Sequence, residues 1–365
     1  MVTVRKAPDL IPILLVLSLL VGQLSSCSSQ PTEDDRSPIP LTYRMMWDPT
    51  KPDLPDWQAL GRWPQDLIAG RKGELFLSDE QNARVIHFTT EGGLIGVIGR
   101  EGSGPGEFSN PVDLAYDRQR DRLWVGERGR SKITRFSRIG DRFEHFDSFI
   151  ARAFMIDRSP TLQTAEDADR YWTNGWFFGT EEIQNSLLQL IGTDGEVIRE
   201  IGEPWEPEWS TRGNVSRMNE CEIALLDDSR LACVWRNRPL VQVWSTDGEL
   251  LKERTFDTPE VLRPGPGPVE REGRQVFFQW FSNAAFCPDD GLLYVGFSVY
   301  DGGRVDFYAL DPATLFIVDW YQMKMPGSDE ERPWPTRLVV ERDDSSVRLY
   351  CIEMLSSTVM IIQPE

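Results

Sequence analysis

The chain has 365 residues, 40% of them hydrophobic, enough to bury a substantial core, and a formal net charge of −19. With a pI near 4.7 it lacks the basic surface that recognition of a phosphate backbone requires, which excludes nucleic acid as a partner. The arginines of Arg118–Arg130 are interleaved with Asp and Glu and read as a solvated face.

Taken in order, Arg5 and Lys6 precede an apolar run, Leu10–Val21. That run is too short to span a bilayer comfortably and fits the apolar region of a secretory peptide. Leu24-Ser25-Ser26-Cys27 follows, with small residues beside the cysteine where a peptidase must reach the backbone. This stretch resembles a bacterial lipoprotein signal. The resemblance implies removal of 1–26, lipidation of Cys27 and a membrane anchor. Because Ser follows the cysteine, it also implies delivery to the outer membrane of a two-membrane cell, facing the periplasm or the cell surface. Several acyl chains on one cysteine make such anchoring stable. Residues 27–40 are polar and turn-rich and predict a disordered tether.

From residue 41 onward the pattern is all β. After the Gly/Pro/Ser loop Gly99–Asn110, alternation runs through Val112, Leu114 and Tyr116; Leu123–Val125, Ile133–Phe136 and Phe143–Phe149 follow, joined by polar turns. The third of these four strands recurs at Val85, Ile133, Leu187, Val241, Val305 and Val359, in steps of 48 to 64 residues. Glu91-Gly92-Gly93, Asp194-Gly195 and Asp247-Gly248 are hairpin turns leading into fourth strands. Six clusters at this spacing predict a six-bladed β-propeller of four-stranded antiparallel blades. The sixth cluster ends after its third strand, at Glu365; Leu41–Trp47 has strand character and is expected to complete that last blade, closing the ring over 41–365.

Gly104-Pro105-Gly106-Glu107-Phe108, then Pro111, Leu123-Trp124-Val125 and Ile133–Phe136, resemble an NHL-type repeat, and the wider pattern is similar to the bacterial six-bladed propeller lipoproteins. The match is strong over 64–149. Blade three fits least, with Asp167–Asp169 and Tyr171–Phe178 as its first two strands. The resemblance implies a fold more than an activity.

Four cysteines remain beyond Cys27: Cys221, Cys233, Cys287 and Cys351. An oxidising compartment allows three pairings among them, but Cys233 is expected to face Ala224 across its hairpin, which favours buried free thiols. The two histidines, His87 and His145, are expected at the surface or a blade edge, where neither a Ser-His-Asp triad nor a histidine metal site is readily assembled. Residues opening each first strand should line the central channel: Asp66, Asp113, Asp169, Asn219 with Glu220, Asn283 and Arg337. Asp66, Asn219, Glu220 and Asn283 could imitate the calcium set of gluconolactonase-like six-bladed lactonases, or serve as ordinary turn and channel residues. Trp63, Phe108, Trp280 and Trp334 precede first strands, with Trp205 and Trp209 in the matching loop of blade four. They either wedge between blades or rim the channel and stack on a sugar, lactone or peptide side chain. The insert Thr258–Gln279 is expected to form a mobile flap on that face.

Two functions follow. The first is a lipid-anchored envelope propeller that binds a protein, small molecule or sugar, with no catalytic residue and no cofactor. The alternative is a calcium-dependent lactonase, hydrolase or lyase. Four or more oxygens converging on one point would favour the enzyme; a channel lined by Arg and apolar groups would favour the binding protein.

Overall fold

In the computed structural model, residues 36–47, 55–61, 64–129, 132–150, 163–164, 169–174, 186–206, 218–256, 269–271, 274–276, 281–299, 304–324, 335–343, 346–353 and 357–365 are described. They form six four-stranded antiparallel blades. Blade one is β2 (Leu67–Ala69), β3 (Glu74–Asp79), β4 (Arg84–Thr89) and β5 (Leu94–Ile98). Blade two is β6 (Pro111–Asp117), β7 (Arg122–Glu127), β8 (Lys132–Ile139) and β9 (Arg142–Ile150). Blade three is β10 (Gln163–Thr164), β11 (Arg170–Thr173), β12 (Leu188–Gly192) and β13 (Val197–Ile201). Blade four is β14 (Cys221–Asp227), β15 (Arg230–Trp235), β16 (Leu240–Ser245) and β17 (Leu250–Thr255). A separate hairpin, β18 (Val269–Arg271) and β19 (Arg274–Val276), occupies part of the insert expected to be a flap. Blade five is β20 (Phe281–Cys287), β21 (Leu292–Val299), β22 (Arg304–Leu310) and β23 (Ile317–Lys324). Blade six takes β24 (Pro335–Arg342), β25 (Val347–Glu353) and β26 (Thr358–Pro364) from the end of the chain and β1 (Ile39–Met45) from near its start.

The strand expected to close the ring does so, two residues earlier than its hydrophobic pattern indicated: Ile39 and Pro40, assigned to the tether, already lie in β1, and the compact unit begins at Pro38. Tyr43 pairs with Ile362 and Leu41 with Pro364 in an antiparallel ladder. The other edge of β1 pairs in parallel with β23, Ile39 against Tyr321 and Leu41 against Met323. The closing strand therefore stitches blade six to blade five as well as to itself, and covers edges that would otherwise expose unpaired N–H and C=O groups.

Why both faces of each blade are apolar follows from the ring. Successive side chains of a strand point to opposite faces, and each face meets a neighbouring blade. Leu123 and Val125 pack toward blade one while Trp124, between them, packs toward blade three. The buried residues form six clusters, one for each seam including that between blades six and one. The loop that opens the NHL-like repeat serves the seam between blades one and two. Phe108 is fully buried there against Phe76, Ile98 and Phe136, as the wedge reading predicts. Gly99 adopts φ +77 directly beneath it, and an added Cβ would overlap the Phe108 ring.

Three expectations are corrected. Blade three opens at β10, and Asp169 lies in the turn before β11, with an exposed carboxylate paired to Arg135 of blade two. His87 is 1% exposed rather than superficial, stacked on Phe76 at 4.4 Å and 3.2 Å from Glu74 Oε2. His145 is exposed, as expected. Cys233 faces Ile223, not Ala224, because a bulge between Leu225 and Asp227 takes up one residue of the hairpin. Cys221, which faces Trp235, is thus a diagonal neighbour of Cys233 on one side of the sheet. All four cysteines are free and buried, and burial pushes the Cys233 thiol well up.

Candidate functional site at the channel collar

The first strands of five blades surround a cavity of about 210 Å³ on the ring axis. One short pattern builds its wall. Asp66-Leu-Ile-Ala, Asp113-Leu-Ala-Tyr, Glu222-Ile-Ala-Leu, Asn283-Ala-Ala-Phe and Arg337-Leu-Val-Val occupy equivalent positions, a polar residue followed by three that are apolar or aromatic. The polar residues form a collar; the following residues line the rest of the channel and fill the seams on either side. In blades two, five and six the register of the ladder shifts at the collar residue, between Pro111 and Asp113, Phe281 and Asn283, and Thr336 and Leu338. A bulge re-aims a side chain, here toward the axis. Arg337 takes a left-handed backbone, φ 56, to do so, a conformation costing on the order of 1–2 kcal/mol for a residue with a Cβ.

That strain is offset by ion pairs. Arg337 Nη1 donates to both oxygens of Glu222, at 3.1 and 3.2 Å, across the ring from blade six to blade four. Its Nε donates to Gln65 O at 3.0 Å and lies 3.5 Å from Asp66 Oδ1. Glu222 is also held by Arg236, whose Nε donates at 2.8 Å. Burial alone would lower the Arg337 pKa; the Glu222, Asp66 and Asp113 carboxylates outweigh it and raise the value, so the guanidinium is charged at every accessible pH.

Beside Arg337 the collar carries two aspartates. Asp66 Oδ1 accepts from the Leu67 amide at 2.9 Å and Oδ2 from the Leu114 amide at 2.8 Å, which ties blade one to blade two. Burial pushes the Asp66 carboxyl up, against the pull of Arg337 and the Leu114 amide. Asp113, 1% exposed, is pushed well above the usual aspartate range, first by burial and then by the charge of Asp66. Burial and mutual repulsion thus oppose ionisation of both carboxyls at once.

Of the residues named from sequence, Asp66, Asp113, Asn283 and Arg337 meet on the axis. Asn219 does not: its Oδ1 accepts from the Trp205 amide at 2.8 Å and its Nδ2 donates to Trp205 O at 3.0 Å, fastening the loop before blade four. Glu220 does not line the cavity either; the collar residue of blade four is Glu222, two positions on. The four-oxygen calcium set is therefore not assembled. Among the described residues no three acidic, His or Cys side chains are placed to hold a metal ion, and the cation beside the carboxylates is Arg337. Trp63, Trp209, Trp280, Trp334 and Cys27 lie outside the described residues. Trp205 is partly buried against blade four with the Arg238 guanidinium 4.7 Å above its ring.

Residues 65–195 match a family described as a 6-bladed beta-propeller, DUF5128. Among solved structures, a DUF4221 family member from Bacteroides vulgatus superposes with a TM-score of 0.55 at 7% identity, covering 89% of this chain and 97% of that one. A Bacteroides fragilis protein described as exported gives 0.54 at 10% identity, covering 89% and 95%. Virginiamycin B lyase from Staphylococcus aureus gives 0.47 at 13% identity, covering 89% and 99%. No curated protein matches. The chain is thus a six-bladed β-propeller, and the resemblance to bacterial propellers first visible at Gly99–Phe136 is borne out for the fold.

Proposed function

We propose that this chain is a lipid-anchored β-propeller of the cell envelope that binds a protein, small-molecule or sugar ligand through its channel face and performs no chemistry there. The observation that carries the reading is the state of the collar. Arg337, the group best suited to polarise a substrate, has its Nε committed to Gln65 and its Nη1 to Glu222. Both oxygens of Asp66 accept backbone amides, and neither histidine lines the cavity. Hydrolysis by a propeller channel needs an exposed electrophile and a base within hydrogen-bond reach of the substrate. A collar whose cation is its own arginine suits recognition instead. Leu24-Ser25-Ser26-Cys27 supplies the address, with the membrane reached through the modified cysteine.

The test has two arms. Cys27→Ser should move the protein from the membrane pellet to the soluble periplasmic fraction; unchanged pelleting would remove the anchor from the reading. Purified protein should show neither lactone hydrolysis nor a calcium-dependent rise in melting temperature. Both appearing together would replace the binding role with the metal-dependent enzyme.

A further inference from the structure

Exposure along the axis rises from the collar toward the turns. Asp66, Asp113, Glu222, Asn283 and Arg337 are all buried. Ala69, Tyr116, Leu225 and Phe286, further down the walls of blades one, two, four and five, are partly exposed; Arg118 and Pro288, just past the ends of β6 and β20, are exposed. The cavity of about 210 Å³ is therefore a well. The Arg337–Glu222 pair closes it at the collar, and it opens at the turns that join first strands to second strands, the face opposite the loops that enter the first strands.

Topology makes its wall polar. Each first strand pairs on one side only and turns its other edge to the axis. The Leu67 and Leu114 amides leave on that side to reach Asp66, which sets the phase. Two residues on, Ala69 and Tyr116 turn their N–H and C=O the same way, and among the described residues none of these four groups has a partner. At the mouth, Arg118 differs from the cations around it. Arg71, Arg120 and Arg138 hold Asp121, Asp117 and Glu74, whereas Arg118 lines the well and, among the described residues, pairs with no carboxylate. The acids lining the well are those of the collar, about 16 Å of strand away and beyond a Debye length at physiological salt.

Resting on the reading of the channel as a binding site, we propose that this well takes a monosaccharide acid, which enters from the turn face with its carboxylate on the Arg118 guanidinium and its hydroxyls on the free strand edges. Arginine presents a planar fork that matches a carboxylate. A hydroxyl both donates and accepts, so a ring carrying several can meet N–H and C=O groups along an edge. An apolar acid would leave those edges unpaired, and a neutral sugar would leave Arg118 unused. The volume lies below the roughly 300–1,000 Å³ of drug-sized sites and suits one ring rather than a chain.

The probes are glucuronate, glucose and acetate, which separate the acid from the hydroxylated ring, titrated into the full folded chain by calorimetry or ligand-observed NMR. Glucuronate should bind at least about tenfold more tightly than either of the others, and less tightly as sodium chloride is raised. Arg118→Gln, at an exposed and unpaired position, should leave the melting temperature unchanged and abolish the preference for glucuronate over glucose. Lys72→Gln removes an exposed cation of the same face that does not line the well, and should change neither. Pro288→Trp narrows the mouth and should weaken glucuronate and glucose alike. Equal binding of glucuronate and glucose, or a preference that survives Arg118→Gln, would overturn the carboxylate assignment and leave the channel as a sugar site. Acetate binding as tightly as glucuronate would remove the sugar ring and reduce Arg118 to a surface anion site. Undiminished binding to Pro288→Trp would contradict entry from the turn face. Binding of none of the probes at about 10 mM would sink the sugar-acid assignment and withdraw its support from the channel as a small-molecule site.

Discussion

The ring is fastened at its rim and at its axis, by different physics. At the rim, β1 is held by backbone hydrogen bonds to β26 and β23 and by Leu41 and Trp47, both nearly buried. At the axis, Arg337 joins blades six, one and four through charge. The rim fastening is made of groups that every residue owns, so it tolerates many sequences so long as the apolar face is kept. The axial fastening depends on particular residues in particular protonation states. It is therefore open to tuning by pH in a way the rim is not.

The comparison can be broken hardest at the rim. Deleting 39–47 removes Leu41, Trp47 and a whole ladder, and should cost on the order of 5 kcal/mol or more, leaving little cooperative unfolding by calorimetry. Wild-type melting after that deletion would show the strand to be dispensable. Next in size, Arg337→Met leaves Glu222 and Asp66 buried without their shared cation and should cost about 3–5 kcal/mol in denaturant unfolding. Glu222→Met added to it should recover a large part of that loss, a coupling that independent sites would not show.

A smaller effect sharpens the contrast through pH. Folded Asp113 holds its proton above the ordinary aspartate value of 3.8, so its contribution to stability is complete below that value and is lost as pH rises through the raised folded one. Asp113→Asn should flatten the stability profile above about pH 4 and gain most at the alkaline end. A variant profile parallel to that of the wild type would place the pH dependence elsewhere. Least disruptive is a thiol count. Cys221, Cys233, Cys287 and Cys351 are free and buried, with the Cys287 thiol pushed up to about 11. Native protein should be silent to a thiol reagent at neutral pH, and those four should react only on unfolding. Rapid labelling of the native state would contradict that burial.

Much of the architecture was legible because its causes are local. Period-2 alternation and the Asp-Gly turns at 194–195 and 247–248 mark strands and hairpins within a few residues of themselves. The unpaired third strand at the end of the chain pointed to a partner near its start. The collar was half legible. Asp66, Asp113, Asn283 and Arg337 can be named because they open strands, but blade four meets the collar at Glu222, two or three residues beyond Asn219 and Glu220. The pattern of one polar residue before three apolar ones, shared by Asp66, Asp113 and Glu222, was the available signal for Glu222.

What the sequence determined by itself was a repeated ribbon: its strand count, its turns, its apolar faces and its closing strand. Each depends on neighbours a few residues apart, or on one strand seeking an edge. Only the tertiary structure decided which charges meet. Arg337 and Glu222 are 115 residues apart and touch because six blades return the chain to its own axis, while the bulge and left-handed backbone at Arg337 aim the side chain inward. A ring turns distant positions into opposite walls of one small channel, and no local pattern carries that distance.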